Sequence, residues 1–463
     1  MEAREAWTPS VNDQRYLDPL HTFRRSLDDA MLCMEALVGT KSRLAKKIRG
    51  LKRRITPLVL ERKIADMPDE ILAHVFEAGH QASDGSEFAL RMSHVCHRFR
   101  RISLRIPFMW NRLSSRQHID QTRAFLSRSA NQDLQIEIFV ISRHMQLQVH
   151  SFLELTGPHS DQWSRLLYFT VPGVDDEVFH HGFTNFPRLQ YISHRCDYPG
   201  RLPYTWEMPL LTQIDGFCSE FPKHTTFPFL SQLTCITLTF SSYDIFDLSS
   251  LFLAIFKAKH LQHLSLEFHN CQEEEEMLSP PSDVPTKSFH IQSLKVVLRD
   301  AMGDEFVISL HDYLAYFTAS VVEFSLLTNG RPYAFLVDEY SFKFPRGSTT
   351  RLQIGSPRSL PTILQHLLKD GEIIRSLEFE TSAFNDDATL SLNSIHYPSL
   401  RHIRFRNCNR FEEKHVGMLA KTFLTDNGND NFQSLEIMSC SKISEDFILN
   451  LQDEVGEGLQ WSV

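Results

Sequence analysis

A chain of 463 residues is too long for one ordinary domain unless it is a repeat array. Apolar residues make up 42% and charged residues 23%, which is enough to build a core, and the net charge of −9 argues against a chain coated in nucleic acid. The eight cysteines are scattered and form no C-x-x-C pair, so we expect reduced, mostly buried thiols and no metal site.

Targeting signals are not visible in the sequence. The start, "MEAREAWTPS", lacks a basic region followed by an apolar one, and the longest aliphatic-aromatic run is "LFLAIF" at 251–256. We therefore expect a soluble intracellular protein of the cytoplasm or nucleus, without a membrane partner.

Residues 1–16 are predicted to be disordered, and residues 17–63 to form an amphipathic helix with coiled-coil character. Gly39 and Gly50 weaken this helix, and Pro57 predicts its end. The helix could lie on its own protein or self-associate. Apolar residues recur in steps of three and four along a heptad seam that only Lys41 interrupts: Leu20, Phe23, Leu27, Ala30, Met34, Leu37, Lys41, Leu44, Ile48, Leu51, Ile55 and Leu58.

A basic run, "KSRLAKKIRGLKRR" at 41–54, overlaps this helix and holds eight Lys and Arg residues. The run is typical of a solvated helix face, and it could also act as a nuclear address or a phosphate-binding patch. Binding of nucleic acid through it remains an alternative function, which would be strongly salt-dependent.

Residues 64–113 are predicted to form three short helices. Asp66 and Asp69 flank Pro68, where a helix favours acids and proline. "MPDEILAHVF" continues with an apolar face, "FALRMSHVCHRFRRIS" repeats apolar residues at helical spacing, and "IPFMW" ends the segment with an aromatic anchor.

From about residue 130 to 463 an apolar-x-x-Leu-x-apolar pattern recurs. Eleven copies spaced by about 27 residues match the period of leucine-rich repeats and predict an α/β solenoid, a curved parallel sheet with outer helices. The pattern is thin between 140 and 230, so boundaries there are open. The central residues of the copies are Leu166, Ile192, Ile214, Ile236, Leu264, Leu294, Phe324, Leu352, Leu377, Ile403 and Leu435.

Between these strands the sequence predicts one helix per repeat, as in the segments 251–260, 310–320, 360–371 and 412–428. Cys408 and Cys440 each follow the last apolar strand residue by three, which predicts buried turn thiols. The acidic, proline-rich stretch 270–288 predicts a solvated loop, with an acidic docking site as the alternative.

Catalytic motifs do not stand out. The sequence has no P-loop, dinucleotide fingerprint, H-E-x-x-H or G-x-S-x-G pattern, and "HVCH" at 94–97 offers three zinc ligands without a fourth nearby. We therefore expect a protein that is not an enzyme and needs no cofactor.

The segment 64–113 resembles an F-box, through "MPDEILAHVF", "VCHRFRRI" and "IPFMW". Met67, Val75, Phe99 and Met109 depart from the family's Leu, Ile, Trp and Leu but stay apolar. The resemblance covers about a tenth of the chain, and an F-box followed by leucine-rich repeats is a known family architecture.

What the resemblance implies is a substrate-recognition subunit of a Skp–cullin–F-box E3 ubiquitin ligase. The F-box would bind the Skp adaptor, and through it a cullin, while the repeats would bind an unidentified substrate protein. The alternative is a protein-interaction scaffold without a ligase, with a degenerate F-box. Carried over by position, the adaptor-binding residues are Pro68, Ile71, Leu72, Val95, Cys96, Arg98 and Phe99.

Overall fold

The computed structural model describes residues 11–140, 142–171, 182–201, 205–220, 227–241, 247–271, 289–300, 303–327, 346–354, 364, 374–381, 399–409, 411–424 and 431–462. The chain divides into two compact units, Met1–Ala82 and Ser83–Val463, and the boundary falls within the segment 64–113. Among the described helices, none is both long and apolar enough to cross a membrane.

A single long helix, α1, opens the first unit and spans Val11–Asp66. It begins at Val11, so residues 11–16, which were predicted to be disordered, are helical, and the predicted stop at Pro57 is wrong because the helix continues to Asp66. A proline inside a helix removes one backbone hydrogen bond and crowds the preceding turn. The helical hydrogen bonds on both sides of it can still hold the helix together. The helix ends where Pro68 disfavours helical geometry at the residue before it.

Short helices occupy the segment 64–113. They are α2 (Asp69–Ala82), α3 (Glu87–Val95) and α4 (His97–Ser103), and a 3-10 turn at Pro107–Trp110 follows in the second unit. The predicted aromatic anchor is fully buried: the Trp110 indole donates to the Ser103 carbonyl at 2.9 Å, and its ring meets Phe125 edge-on at 4.9 Å.

A parallel sheet dominates the second unit, so the predicted α/β class is confirmed. Fourteen described strands pair in sequence order, each with the next. The strands are β1 Arg112–Ser114, β2 Leu134–Val140, β3 Trp163–Thr170, β4 Tyr191–Arg201, β5 Gln213–Glu220, β6 Cys235–Ser241, β7 His263–His269, β8 Phe289–Arg299, β9 Phe317–Leu327, β10 Arg346–Ile354, β11 Ser376–Thr381, β12 His402–Arg406, β13 Ser434–Met438 and β14 Leu459–Ser462.

One row of buried side chains runs across all fourteen strands in register. We call it the buried row, and its members are Leu113, Ile136, Leu166, Ile192, Ile214, Ile236, Leu264, Leu294, Val322, Thr350, Leu377, Ile403, Leu435 and Leu459. Each parallel strand thus stacks its central side chain on those of its neighbours, and the stack excludes water along the array.

The register corrects two of the eleven predicted strand centres. Phe324 and Leu352 lie in strands as predicted, but their row partners are Val296 and Phe379, not Leu294 and Leu377. The true centres lie two residues earlier, on the same sheet face. Sequence spacing could not separate the alternatives, because strand side chains alternate with a period of two.

Six described α-helices of the second unit lie between the strands. They are α5 Ile119–Ser129, α6 Gln146–Thr156, α7 Leu248–Phe256, α8 Asp304–Leu314, α9 Glu413–Leu424 and α10 Glu445–Val455. Three of the four predicted helical segments therefore overlap a helix, α7, α8 or α9. In the segment 310–320 the helix covers only residues 310–314, and residues 317–320 belong to strand β9. The fourth, 360–371, lies outside the described residues apart from Leu364.

The prediction of one helix per repeat is wrong where the repeats are shortest. Residues 205–212, between β4 and β5, contain no helix, and the link between β5 and β6 has a 3-10 turn at Pro228–Gln232. The row positions Ile192, Ile214 and Ile236 are only 22 residues apart here, which leaves little chain for an α-helix beside the strand.

Turn thiols are present as predicted. Cys408 and Cys440 are buried, and their thiols donate to the carbonyls of Phe379 and Phe405 in the preceding strands, at 3.6 and 3.9 Å. Cys271 makes the equivalent contact with Phe240 at 4.0 Å, a third member that sequence spacing missed. These contacts are typical of weak structural hydrogen bonds and give the thiols a role in the turns. The predicted loop lies outside the described residues from 272 to 288.

We predict that Thr350→Val raises stability by about 1 kcal/mol. Thr350 is the polar member of the buried row, is 1% exposed, and its hydroxyl has no hydrogen-bond partner among the described residues. Valine has the same shape without a buried hydroxyl to desolvate. Urea unfolding of the full chain measures the change.

The matched control is Thr156→Val. The Thr156 hydroxyl is also buried, but it donates to the Phe152 carbonyl at 2.9 Å, so this variant should lose stability. Equal destabilisation by both substitutions would contradict the prediction for Thr350.

Candidate protein-binding surfaces

The α2 helix carries two apolar stripes with opposite exposure. Leu72 is 3% exposed and lies with Phe76 on a buried stripe, whereas Ile71 is 48% and Val75 52% exposed. Residues four apart share a helix face, so Ile71 and Val75 present one apolar surface to solvent. Pro68 precedes the helix, and its carbonyl accepts from the Leu72 amide at 3.2 Å.

The remaining predicted adaptor-binding residues lie together at the junction of α3 and α4. Val95 is 57% exposed, Cys96 is exposed, and Arg98 and Phe99 are partly exposed. Cys96 has extended backbone and caps α4, because its sulfur accepts from the Phe99 amide at 3.4 Å. The cap fixes the turn that presents Val95.

Two exposed apolar residues were missed as contact candidates. Val75 stands at an F-box motif position where the family has Ile, and Leu104, the residue directly after α4, is 39% exposed. Helical spacing from Ile71 to Val75 was the available signal for the first. No comparable signal marked the second.

His94 and His97, the histidines of "HVCH", are both exposed. Across the described part of the chain, no group of three or more His, Cys, Asp or Glu side chains could hold a metal ion.

The solvent face of the sheet carries aromatic residues and arginines on its first strands. The Arg116 guanidinium lies 3.6 Å from the centre of the Phe139 ring, and the centres of the Phe139 and Phe169 rings are 6.2 Å apart. The Arg165 guanidinium lies 4.0 Å from the centre of the Tyr191 ring. These contacts combine cation–π and ring packing, with exposed arginines over half-buried rings. We call Arg116, Phe139, Arg165, Phe169 and Tyr191 the aromatic patch.

Further along the same face, alternating charges form a ladder on strands β9 to β13. We call Glu323, Arg351, Glu378, Arg404 and Glu436 the charge ladder, and they are neighbours in the strand register. Arg351 contacts Glu323 at 2.5 Å and Glu378 at 2.9 Å, and Arg404 contacts Glu378 at 3.4 Å and Glu436 at 2.7 Å.

Ionic hydrogen bonds favour the charged form of the two arginines. The hydrogen bond that Arg351 donates to Glu323 raises the pKa of Arg351, and the one that Arg404 donates to Glu436 raises the pKa of Arg404. Both arginines therefore keep their charge at any physiological pH. Four ladder residues line a cavity of about 460 Å³ together with Lys295 and Arg406. A partner bound there would meet charges of both signs.

A scan against models of known protein families found no match for the chain, and a search of curated proteins found no similar sequence. The interpretation of these surfaces therefore depends on their own geometry and on the motif resemblance of the sequence.

We predict measurable coupling between Arg351 and Glu378 in a double-mutant cycle with alanine. The pair is partly exposed and belongs to a network, so about 0.5–1 kcal/mol is expected, falling as salt screens it. Urea unfolding of the single and double variants gives the coupling energy.

The control cycle is Glu87 with Arg91 on α3, an isolated pair whose side chains are both 74% exposed. Its coupling should be smaller, about 0.3 kcal/mol. A ladder coupling no larger than that of the control would show that the network adds nothing.

Proposed function

We propose that this protein is the substrate-recognition subunit of a Skp–cullin–F-box type E3 ubiquitin ligase. The observation that carries the proposal is that the F-box-like motifs coincide with helices whose apolar side chains face solvent. Ile71 and Val95, which the motifs assign to the adaptor contact, are both about half exposed. Exposed apolar side chains on short helices suit insertion into a groove of a partner protein.

Each proposed adaptor-binding residue has its own role in the adaptor contact. Ile71 and Val75 supply apolar contacts from α2, and Val95 supplies one from the junction of α3 and α4, where Arg98 and Phe99 extend the surface. Leu72 is buried and supports α2, and Cys96 caps α4 and supports the turn that presents Val95. Pro68 sets the start of α2 and thereby the direction of Ile71.

The parallel sheet is proposed to be a leucine-rich-repeat solenoid. Support comes from the spacing of the buried row, at 22 to 32 residues for every described strand pair, and from the thiols of Cys271, Cys408 and Cys440 in equivalent turns. Each repeat leaves an apolar edge that only its neighbour covers, which explains why the strands pair strictly in order.

Substrate binding is assigned to the solvent face of this sheet. The aromatic patch combines Phe, Tyr and Arg, and Tyr and Arg are among the residues that most often dominate binding energy at protein interfaces. The charge ladder, whose charges are already paired within the chain, would contribute orientation more than affinity.

The mechanism would be positional. The thioester cysteine that carries ubiquitin would belong to another protein of the assembly, and this chain would hold the substrate close to it. Tethering raises the local concentration of substrate lysine amines and replaces a bimolecular encounter with an intramolecular one. No catalytic residue or cofactor of this chain takes part, and the complex would act in the cytoplasm or nucleus.

A scaffold without a ligase is the second candidate. Two motif positions favour it, because their roles need no adaptor. Leu72 packs in a buried stripe of α2, and Cys96 caps α4. Adaptor binding separates the two functions.

The test is the affinity of the full chain for a Skp-type adaptor, measured by co-purification and titration. We expect Ile71→Asp and Val95→Asp each to weaken binding by at least tenfold, about 1.4 kcal/mol, because a carboxylate would enter an apolar groove.

Leu449→Asp serves as the control. Leu449 lies on α10 and is 47% exposed, close to the value for Ile71, so the variant should bind the adaptor normally. All variants should keep the circular-dichroism spectrum of the parent chain. Failure of the folded parent chain to bind any Skp-type adaptor would rule out the ligase function and leave the scaffold.

A further inference from the structure

The heptad seam of α1 faces solvent in the structure. Side chains are described for residues 22–37 and 39–52, and within these ranges the large apolar seam residues are between 46% and 73% exposed. They are Phe23, Leu27, Met34, Leu37, Leu44, Ile48 and Leu51. An exposed apolar stripe on a helix of 56 residues is typical of one strand of a coiled coil.

Charge is distributed very unevenly along this helix. Residues 26–40 contain Asp28, Asp29 and Glu35 and no lysine or arginine, whereas residues 41–54 contain eight basic residues and no acid. Two such helices in parallel would place like charges side by side along both halves. In the antiparallel orientation each acidic segment lies beside a basic one, within the screening length of about 10 Å.

The described part of the seam also fits an antiparallel partner. Heptad positions a and d of opposite helices meet when Leu27 of one copy lies opposite Leu51 of the other. The same register pairs Met34 with Leu44 and Lys41 with Leu37, and it uses every seam position from Leu27 to Leu51. At 1.5 Å per residue, this overlap is about 36 Å long.

We propose that α1 forms an antiparallel two-stranded coiled coil with the α1 helix of a second copy of this chain. The seam supplies the apolar contact, and the acidic and basic segments set the orientation. Lys41 contributes to the choice of register: its aliphatic stem lies on Leu37 of the other copy while its ammonium group reaches solvent. The proposal does not depend on the ligase function, since Ile71 and Val95 lie outside the seam.

Sedimentation of the full chain at micromolar concentration tests the association. We expect a species of about twice the 53.7 kDa of one chain. Leu44→Asp, which places two carboxylates in the seam of each dimer, should raise the dimer dissociation constant at least 100-fold.

Leu32→Asp is the matched control on the same helix. Leu32 is as exposed as Leu44, 63% against 60%, but lies off the seam. This variant should remain dimeric. A monomeric parent chain, or equal effects of the two substitutions, would overturn the proposal.

Orientation is tested by cross-linking in a Cys33→Ser background. Two differently tagged chains, one carrying Leu27→Cys and the other Leu51→Cys, are mixed and oxidised. An antiparallel pair yields the mixed disulfide between position 27 of one chain and position 51 of the other, identified by mass spectrometry of the peptides. Disulfides only between identical chains would show a parallel pair and overturn the proposed orientation.

Discussion

The register of the parallel sheet is the constraint on which the second unit depends. One side chain per strand lies in the buried row, from Leu113 in β1 to Leu459 in β14. A slip of one residue in any strand would turn its apolar side chains to solvent and its polar ones into the core. Strand pairing and side-chain stacking therefore select the same arrangement, and the connecting segments have to fit it.

The same register builds the binding surfaces. Positions that alternate with the buried row point to the opposite face of the sheet, so side chains far apart in sequence become neighbours. Arg351 contacts Glu323 and Glu378, which lie 28 and 27 residues away, and Arg165 reaches Tyr191 from the strand before. A repeat array thus offers a long surface whose chemistry changes along its length.

Sequence reasoning succeeded where a pattern had a single structural solution. All eleven predicted strand centres lie in strands, and nine of them lie in the buried row, whereas Phe324 and Leu352 lie two residues beyond it. Three strands, β1, β2 and β14, were missed. The strict alternation of "LQIEIFV" in β2 was a signal that went unused, whereas β1 and β14 have only three and four residues, which is too short for any periodicity.

The helical segments show why exposure is harder to predict. Ile71 and Leu72 are adjacent and both apolar, yet one faces solvent and the other is buried. Propensity cannot tell them apart, since the choice depends on what packs against the helix. The same limit applies to α1: a heptad seam predicts a partner without saying which helix supplies it.

The central claim is that the helical segments bind the adaptor while the sheet does not. Hydrogen–deuterium exchange of the full chain with and without a Skp-type adaptor tests it most directly. We predict slower exchange in peptides covering 68–80 and 93–104 on adaptor binding, with no change in the strands from β2 to β14. Protection confined to the sheet, with none in the helical peptides, would contradict it.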